Sequence, residues 1–280
     1  MPELPEVETI KRALENKIGF AQIIDVKINN PRLRITIPED LSTKIMQANI
    51  CKYARVAKYI VIELDNGYSI LWHMGMSGKV KISQYAPKIQ DKHDHIIIKT
   101  SAGYVVYNDP RRFGLFTISE TKNIGSNSFI KNIGIDPFDN KLTSTYLYDK
   151  LQKKAKTPIK IALLDQTIIS GIGNIYASEI LYESHILPMR ICRDISVDDC
   201  VLLINNTRKV LLKAIEAGGS TLKDYKKPDG SLGYFQNMHC VYNKTGQKCP
   251  NCICDIKITG GIQKSIIGGR STFYCKDLQK

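Results

Sequence analysis

No stretch of this sequence stays apolar for the ~18 residues that a membrane-spanning helix needs, so such a helix is not expected. The first residues include acidic side chains and lack a long apolar segment, so we expect no signal peptide. Internal repeats and low-complexity tracts are also missing. Together these absences predict a cytoplasmic globular protein.

Acidic residues are scarce relative to basic ones. The chain has 27 Asp and Glu against 40 Lys and Arg, which gives a net charge of +13 and a pI near 9.3. Such a charge favours a polyanionic partner and speeds association, but it does not determine the fold. A basic protein without a polyanionic partner is the alternative. At 280 residues the chain is long for a single core, so two domains and a small appendage are expected.

Cysteine is sparse over most of the chain and concentrated near its end. Three cysteines are scattered, at Cys51, Cys192 and Cys200. The other five lie close together, at Cys240, Cys249, Cys252, Cys254 and Cys275. This clustering favours a metal site over a disulfide framework.

The spacing of apolar residues predicts that the first part of the chain is rich in β-strands. Apolar residues at helical spacing predict one helix over residues 5–18, with the N-terminal amine at its leading end. Apolar runs on both sides of Asn66-Gly67 predict a β-hairpin, and further strand patterns follow. Residues 1–131 are therefore interpreted as one helix plus a β-sandwich or barrel.

The second part is helical, with predicted helices at 143–154, 158–169 and 174–184. Ser196 with Asp199 forms a capping-box signature before a further long helix. Beyond that helix, periodicity is lost and the chain becomes rich in Gly, Lys and Cys.

The segment Ser170-Gly171-Ile172-Gly173-Asn174 separates two of these predicted helices. Its glycines permit a tight turn, and Asn174 can cap the helix that follows. The N-terminus of a helix is suited to binding phosphate. An ordinary helix–helix turn is the alternative.

The N-terminal pair Pro2-Glu3 has two interpretations. If Met1 is removed, Pro2 becomes a free secondary amine beside a carboxylic acid, and such an amine can attack a sugar carbon to form an iminium. An unperturbed α-amino group has a pKa of roughly 7.7–8.0, so a fraction is unprotonated near neutral pH. Alternatively, proline and acidic residues begin a helix here for structural reasons.

Three loops carry residues suited to holding DNA. Lys58 stands at the start of a strand, Met76 lies in a glycine-containing loop, and Arg111 and Arg112 precede Phe113 in a turn. Arginine can pair with phosphate or with a base edge, and a Met or aromatic side chain can replace a base lifted out of the stack. Each loop alone is compatible with a structural role. Together, on a basic chain, they predict a surface that grips and opens a duplex.

Seven motifs follow one another in register: Pro2-Glu3-Leu4-Pro5-Glu6-Val7-Glu8-Thr9, Lys58-Tyr59, His73-Met74-Gly75-Met76-Ser77-Gly78, Lys92-His93-Asp94-His95, Asp109-Pro110-Arg111-Arg112-Phe113-Gly114, Gly171-Ile172-Gly173-Asn174-Ile175-Tyr176 and Gly269-Arg270-Ser271-Thr272-Phe273-Tyr274-Cys275. In combination they resemble the formamidopyrimidine-DNA glycosylase family. The resemblance favours the nucleophile interpretation of Pro2 over the cap.

The resemblance implies an enzyme that excises oxidised purines, such as 8-oxoguanine and formamidopyrimidines, and then cuts the strand. Pro2 would attack the anomeric carbon of an extruded nucleotide, and Glu3 would act as the acid. Glu6 would order the site, and Lys58 would serve the elimination. The implied partner is damaged double-stranded DNA, bound by a monomer associated with the nucleoid and not with a membrane.

The resemblance also implies the DNA contacts. The phosphates around a sharp kink would be held by His73, His93, Arg112, Asn174 and Arg270, of which Arg270 is also counted with the catalytic residues. The vacated space would be filled by Met76, Arg111 and Phe113, with Arg111 reading the orphaned cytosine. Lys223 would lie in a loop over the extruded base.

The implied fold is α+β and has three parts. Residues 1–131 would form the catalytic domain, an N-terminal helix with a β-sandwich. Residues 132–232 would form a helical DNA-binding domain with a helix–two-turns–helix element, and residues 233–280 a zinc-finger-like β-hairpin.

The sequence departs from the family pattern in this last part. The family has two Cys-x-x-Cys pairs, but Leu278 stands where the last Cys is expected, which leaves Cys249, Cys252 and Cys275. Three thiolates still suggest structural Zn²⁺. The fourth ligand would come from Cys254, Cys240, His239, Asp277 or water. The alternative is a zinc-free hairpin held by packing.

Two rival functions are considered. An endonuclease VIII-like glycosylase would prefer oxidised pyrimidines, but Leu4 and the complete Arg111-Arg112-Phe113 loop favour the purine enzyme. A non-catalytic nucleic-acid-binding protein would not need Pro2, Glu3 or Lys58, yet the chain contains all three.

Overall fold

The computed structural model of the protein describes residues 1–88, 90–220, 228, 233–253 and 255–280. The chain divides into two compact units, Met1–Asn132 with Ala214–Gln236 and Ile133–Lys213 with Asn237–Lys280. The domain boundaries predicted after residues 131 and 232 stay a prediction. Within the described ranges, no helix is both long enough and apolar enough to cross a membrane.

The first unit begins with helix α1, Leu4–Lys17, in agreement with the helix predicted over residues 5–18. Val7, Ile10 and Leu14 lie on one face and are almost completely buried. Burying such side chains contributes roughly 1.5–3 kcal/mol each, so packing rather than intrinsic propensity fixes the helix.

Two four-stranded antiparallel sheets form the body of this unit, with strand orders β1-β6-β7-β5 and β2-β3-β4-β8. Their strands are β1 Ile23–Ile28, β2 Ile50–Val56, β3 Tyr59–Leu64, β4 Tyr68–His73, β5 Lys79–Ser83, β6 Asp94–Thr100, β7 Gly103–Asn108 and β8 Leu115–Glu120; helix α2 is Leu41–Ile45. Apolar side chains from both sheets and from α1 share one core. The predicted helix plus β-sandwich is confirmed.

The predicted hairpin around Asn66-Gly67 is formed by β3 and β4, which pair in antiparallel register from Tyr59 opposite His73. Gly67 has a φ of +83°, a conformation that glycine adopts without steric cost. The hairpin places two predicted functional residues, Lys58 and His73, at the same end of the pair.

The second unit is mainly helical and ends in a two-stranded hairpin. Its elements are α3 Ser144–Gln152, α4 Ile159–Leu164, α5 Asn174–Glu183, α7 Ile256–Thr259, β9 Gln263–Ile267 and β10 Arg270–Tyr274; the long helix α6 is Val197–Glu216. The capping box predicted before α6 is confirmed, because Ser196 and Asp199 exchange hydrogen bonds of 3.0 and 2.9 Å.

Helix α4 is shorter than the predicted 158–169. Asp165 takes an extended backbone conformation with a ψ of 107°, and its carboxylate accepts a hydrogen bond from the Thr167 N–H. Local side-chain hydrogen bonding of this kind competes with the helix.

Candidate active site and nucleic-acid interface

Pro2 and Glu3 stand at the leading end of α1. Pro2 is buried, whereas Met1 before it is exposed. Glu3 is the N-cap residue and forms a capping box with Glu6: the Glu3 N–H donates to Glu6 Oε2 at 2.8 Å. The positive end of the helix dipole favours carboxylates at this position. The cap and the candidate catalytic pair therefore occupy the same turn, so the two interpretations of Pro2-Glu3 are structurally compatible.

The carboxylate of Glu6 also fixes a second segment of this unit. Its Oε1 accepts a hydrogen bond of 2.8 Å from the Ser220 N–H. Gly219 has a φ of +78°, and a Cβ there would lie 2.8 Å from the same oxygen. Only glycine therefore lets the backbone reach the carboxylate in this way. Lys223, predicted to lie in a loop over the extruded base, is outside the described residues.

Lys58 is buried in the two-residue turn between β2 and β3. Its neighbour Ala57 has a φ of +54°, an unfavourable conformation for a residue with a side chain. The guanidinium of Arg55 holds this turn, because it donates to Ala57 O at 3.2 Å and to Glu8 Oε2 at 3.0 Å. A salt bridge therefore fixes the Lys58 turn to α1.

Burial opposes ionisation of Glu8, but hydrogen bonds and charges from Arg12, Lys11 and Arg55 outweigh it and lower the pKa of this carboxyl. Sequence reasoning missed the pair of Glu8 and Arg55. Because the two residues are 47 positions apart, no local pattern identifies them as partners.

His73 lies at the end of β4, with its ring 4.8 Å from that of Tyr59. Burial, reinforced by the charges of Lys58 and Arg34, lowers the pKa of His73 to about 4. The Gly75 N–H donates to His73 Nδ1 at 3.0 Å, so the neutral ring carries its proton on Nε2. His73 can therefore donate one hydrogen bond without carrying a charge.

The Met76 loop (residues 74–78) and the Arg111 loop (residues 109–114) lie against each other. A Cβ on Gly75 would lie only 2.4 Å from the carbonyl carbon of Phe113. Met76 and Phe113 are nevertheless 38% and 45% exposed, and the Arg111 guanidinium lies 4.8 Å above the Phe113 ring. The structure thus brings together the three residues predicted to fill a vacated base position.

His93 lies beside the same loops. Its carbonyl accepts the Asp109 N–H at 3.0 Å, and its own N–H donates to Asp91 Oδ1 at 2.8 Å. Arg112 has a φ of +55°. The predicted phosphate contacts His73, His93 and Arg112 therefore all belong to the loops at one end of the sandwich.

In the second unit, Asn174 is the first residue of α5, and Gly173 is the N-cap. The prediction that Asn174 caps this helix is wrong. Its amide instead donates to the carbonyl of Ser271 at 3.0 Å, on strand β10. Asn174 therefore connects the helical turn to strand β10 of the hairpin, which begins with the exposed Arg270.

Lys160 is fully buried on α4, and sequence reasoning missed it. Its Nζ donates to the carbonyl of Ser271 at 3.1 Å and to Thr272 Oγ1 at 2.7 Å. The one available signal is a lysine inside the apolar run Ile159-Lys160-Ile161. Lys160 and Asn174 therefore fix the backbone next to Arg270.

Cys249, Cys252 and Cys275 form a cluster whose sulfurs all lie within 4.8 Å of one another. The Sγ atoms of Cys252 and Cys275 are 3.9 Å apart. Tetrahedral Zn–S bonds of ~2.3 Å would place two sulfurs roughly 3.8 Å apart, so this spacing fits a metal ion. Cys252 is disulfide-bonded in the structure, so metal binding by its thiolate requires reduction of that bond.

Leu278 and Tyr182 are neighbours of the cysteine cluster. Leu278 packs against the cluster, and the Tyr182 hydroxyl of α5 lies 3.2 Å from Cys249 Sγ. Two of the predicted fourth ligands have other neighbours: Cys240 Sγ lies 3.9 Å from a Glu183 oxygen, and the buried ring of His239 meets the ring of Tyr242 edge to face, with 5.7 Å between the centroids. Cys254 lies outside the described residues.

The first unit has Pro2-Glu3 at the start of a helix and two loops that present Met76, Arg111 and Phe113. The second unit has a basic hairpin beside a helical turn. Each of these features is typical of an enzyme that processes nucleic acid. A family profile for the N-terminal domain of formamidopyrimidine-DNA glycosylase matches residues 1–116, and one for its H2TH domain matches residues 133–226. The chain belongs to the formamidopyrimidine-DNA glycosylase family, as its motifs predicted.

Relatives match along their whole length. Formamidopyrimidine-DNA glycosylase of Rhodospirillum rubrum is 39% identical, and the match covers 100% of both chains. The Rickettsia africae enzyme is 43% identical, covering 100% of this chain and 99% of its own. A mutant of the Lactococcus lactis enzyme, solved in complex with Fapy-dG-containing DNA, has a TM-score of 0.89 at 33% identity, with 100% of both chains covered.

Proposed function

We propose that Pro2 is the nucleophile with which this chain removes oxidised purines from duplex DNA. The chain is a base-excision repair enzyme, a DNA glycosylase that also cuts the strand at the resulting abasic site. The observation that carries the assignment is the buried Pro2 beside Glu3, in a chain whose relatives of the same length bear the name formamidopyrimidine-DNA glycosylase. Its partner is damaged double-stranded DNA, and its location is the cytoplasm, at the nucleoid.

The reaction begins after Met1 is removed. The lone pair of the Pro2 nitrogen attacks the anomeric carbon of the extruded nucleotide, and the bond from that carbon to the base breaks. Glu3 supplies the proton that opens the sugar, and loss of the amine proton leaves an iminium between Pro2 and the sugar. The iminium acidifies the neighbouring C–H, so β- and then δ-elimination release the two phosphates. Glu6 keeps the first turn of α1 in place, and Lys58 serves the elimination.

The loops at the end of the sandwich hold the DNA. His73, His93 and Arg112 bind phosphates, while Met76, Arg111 and Phe113 enter the space left by the extruded nucleotide. In the second unit, Asn174 and Arg270 bind phosphates at the turn and the hairpin. The distribution follows the chemistry of each side chain: cations and N–H donors suit phosphate, and the exposed apolar surface of Met76 and Phe113 suits base faces.

Replacing Arg111 and replacing Arg112 by alanine are expected to have different effects on DNA recognition. Arg111→Ala removes a base contact, so the preference for cytosine opposite the lesion falls by about 1–3 kcal/mol of discrimination. Arg112→Ala removes a phosphate contact, so binding to damaged and undamaged duplexes weakens alike and the salt slope falls by roughly 0.9. Titrations with both duplexes over a range of salt concentrations, together with excision opposite cytosine and adenine, measure the two effects. Equal loss of opposite-base preference in both variants would contradict this division.

Oxidised pyrimidines are the alternative substrate. One solved structure of the Lactococcus lactis enzyme is a complex with DNA containing an oxidised pyrimidine, at 33% identity and a TM-score of 0.88. For this chain we expect faster excision of 8-oxoguanine than of thymine glycol, measured in single-turnover reactions on otherwise identical duplexes. The reverse order would identify an endonuclease VIII-like preference.

We also propose that the cysteine cluster binds one structural Zn²⁺ through Cys249, Cys252 and Cys275. The sulfur spacing supports this ligand set, and thiolates are the ligands that zinc prefers in structural sites. The hydroxyl of Tyr182 lies 3.2 Å from Cys249 Sγ. To a metal-bound thiolate it would donate a hydrogen bond, which reduces the charge that accumulates on the sulfur. The metal would hold the end of the hairpin that carries Arg270.

A further inference from the structure

Asp109, immediately after β7, is a completely buried carboxylate. Its Oδ1 accepts a hydrogen bond of 2.5 Å from the Ser77 hydroxyl, and its Oδ2 accepts one of 2.8 Å from the Gly114 N–H. The Tyr107 hydroxyl lies 3.1 Å from the same Oδ2. A buried carboxylate is tolerated only when donors of this kind surround it, so Asp109 holds three separate groups at fixed positions.

These groups belong to both loops. Ser77 follows Met76, and its hydroxyl oxygen also accepts the Arg111 N–H at 3.1 Å. The chain of hydrogen bonds therefore runs from Asp109 through Ser77 to the backbone of Arg111. Gly114 closes the other end of the Arg111 loop, directly after Phe113. The Asp109 carboxylate is thus linked to residues next to Met76 and Phe113 and, through Ser77, to the backbone of Arg111, the three side chains proposed to enter the duplex.

Tyr107 completes the network. Its hydroxyl also lies 3.3 Å from Met74 O, but it has a single proton, which the charged Asp109 attracts more strongly. Burial and the adjacent Asp109 raise the pKa of Tyr107, so the hydroxyl stays a donor at all physiological pH values. The Tyr107 hydroxyl therefore contacts the Asp109 carboxylate and the Met76 loop at the same time.

Close backbone packing accompanies these hydrogen bonds, within the Met76 loop and between Tyr107 and the Arg111 loop. A Cβ on Gly114 would lie 1.7 Å from the Tyr107 hydroxyl oxygen, and one on Gly78 would lie 2.1 Å from Met74 O. Arg112 is held with a φ of +55°, a conformation that persists only where its surroundings impose it. The close backbone packing and the buried hydrogen bonds therefore act on the same few residues.

We infer that Asp109 is a positioning residue, which acts through Ser77 to hold the Met76 loop and the Arg111 loop as one rigid unit. Rigid presentation matters because a side chain that is already ordered loses less entropy when it enters the DNA. It matters most for Arg111, because reading a base edge requires the guanidinium at a defined place. This inference rests on the proposed role of Met76, Arg111 and Phe113.

Ser77→Ala tests the link with the smallest structural change. The variant leaves Asp109 two donors but removes both hydrogen bonds of the Ser77 hydroxyl and so releases the Arg111 N–H. We therefore expect the ratio of excision opposite cytosine to excision opposite adenine to fall by about tenfold. Asp109→Asn should lower the ratio at least as much. Ser69→Ala is the matched control, because Ser69 is also buried and its hydroxyl forms a hydrogen bond of 2.8 Å with the Thr121 hydroxyl, away from the two loops. The control should leave the ratio unchanged.

A double-mutant cycle separates positioning from a general loss of stability. If Ser77 acts through Arg111, then Ser77→Ala has no further effect on the ratio in an Arg111→Ala background. An unchanged ratio in Ser77→Ala, or additive effects of the two substitutions, would overturn the inference. If Arg111→Ala itself leaves the ratio unchanged, the proposed role of the inserted side chains is wrong and the inference falls with it. Should Asp109→Asn fail to fold, the Ser77→Ala cycle alone decides.

Discussion

A chain that keeps Met1 is expected to bind lesion-containing duplex DNA and yet form no covalent adduct with it. In the Met1–Pro2 peptide the proline nitrogen is an amide, whose lone pair is delocalised and cannot attack carbon. The trimmed chain has a secondary amine at the same place, next to Glu3. Removing the nucleophile should lower excision on the order of 10³-fold or more, as it does in other enzymes with covalent intermediates. Borohydride trapping on an 8-oxoguanine:cytosine duplex, followed by peptide mapping, measures the adduct.

The matched control is a variant of the trimmed chain, assayed on an 8-oxoguanine duplex and on a duplex with an abasic site. Glu3→Gln should slow excision of 8-oxoguanine more than it slows trapping on a duplex that already contains an abasic site, because no base needs to leave there. Binding measured in parallel shows that neither form has lost its affinity for DNA. An adduct that maps to a lysine such as Lys58, or an active chain that retains Met1, would show that Pro2 is not the nucleophile.

Much of the first unit could be predicted because its signals are local. The spacing of Val7, Ile10 and Leu14 predicts α1, and Asn66-Gly67 between two apolar runs predicts the β3–β4 hairpin, since both patterns depend on neighbours a few residues away. The candidate nucleophile was recognisable for the same reason, because Pro2 and Glu3 are adjacent.

The residues that hold the site in place could not be predicted in this way. Asp109 and Ser77 are 32 positions apart, and Lys160 and Thr272 are 112 apart, so their pairing becomes visible only when the chain is folded. A short polar residue after glycine is typical of a cap, which is why the sequence predicts one at Asn174, but in the structure the cap lies one residue earlier, at Gly173, and the Asn174 amide donates to the hairpin. Local rules thus point to the residues proposed to react or to touch DNA more readily than to the residues that hold those loops in place.

Replacement of Cys249 by serine is expected to release zinc and loosen the hairpin of β9 and β10 while the β-sandwich stays folded. Under reducing conditions the wild-type chain should contain close to one zinc per chain, and Cys249→Ser much less, by metal analysis. Structural zinc contributes an apparent ~10–16 kcal/mol in small fingers with four protein ligands, so a site with three should depend strongly on each one. Hydrogen exchange should rise in β9 and β10 and stay unchanged in β3 and β4. Binding to lesion DNA should weaken with it, because Arg270 begins β10.

Two further variants make this test specific. Cys51→Ser removes an exposed cysteine of the sandwich and should leave the zinc content unchanged. Tyr182→Phe keeps the buried ring but removes the hydroxyl 3.2 Å from Cys249 Sγ, so zinc affinity should fall by about 10–100-fold, the usual effect of losing a partner of a metal ligand. Fully active protein without zinc would mean that packing among Tyr182, Val241, Ile262 and Phe273 is sufficient to present Arg270. In that case Leu278, at the position of the expected fourth cysteine, would belong to an apolar core that stabilises the hairpin in place of zinc.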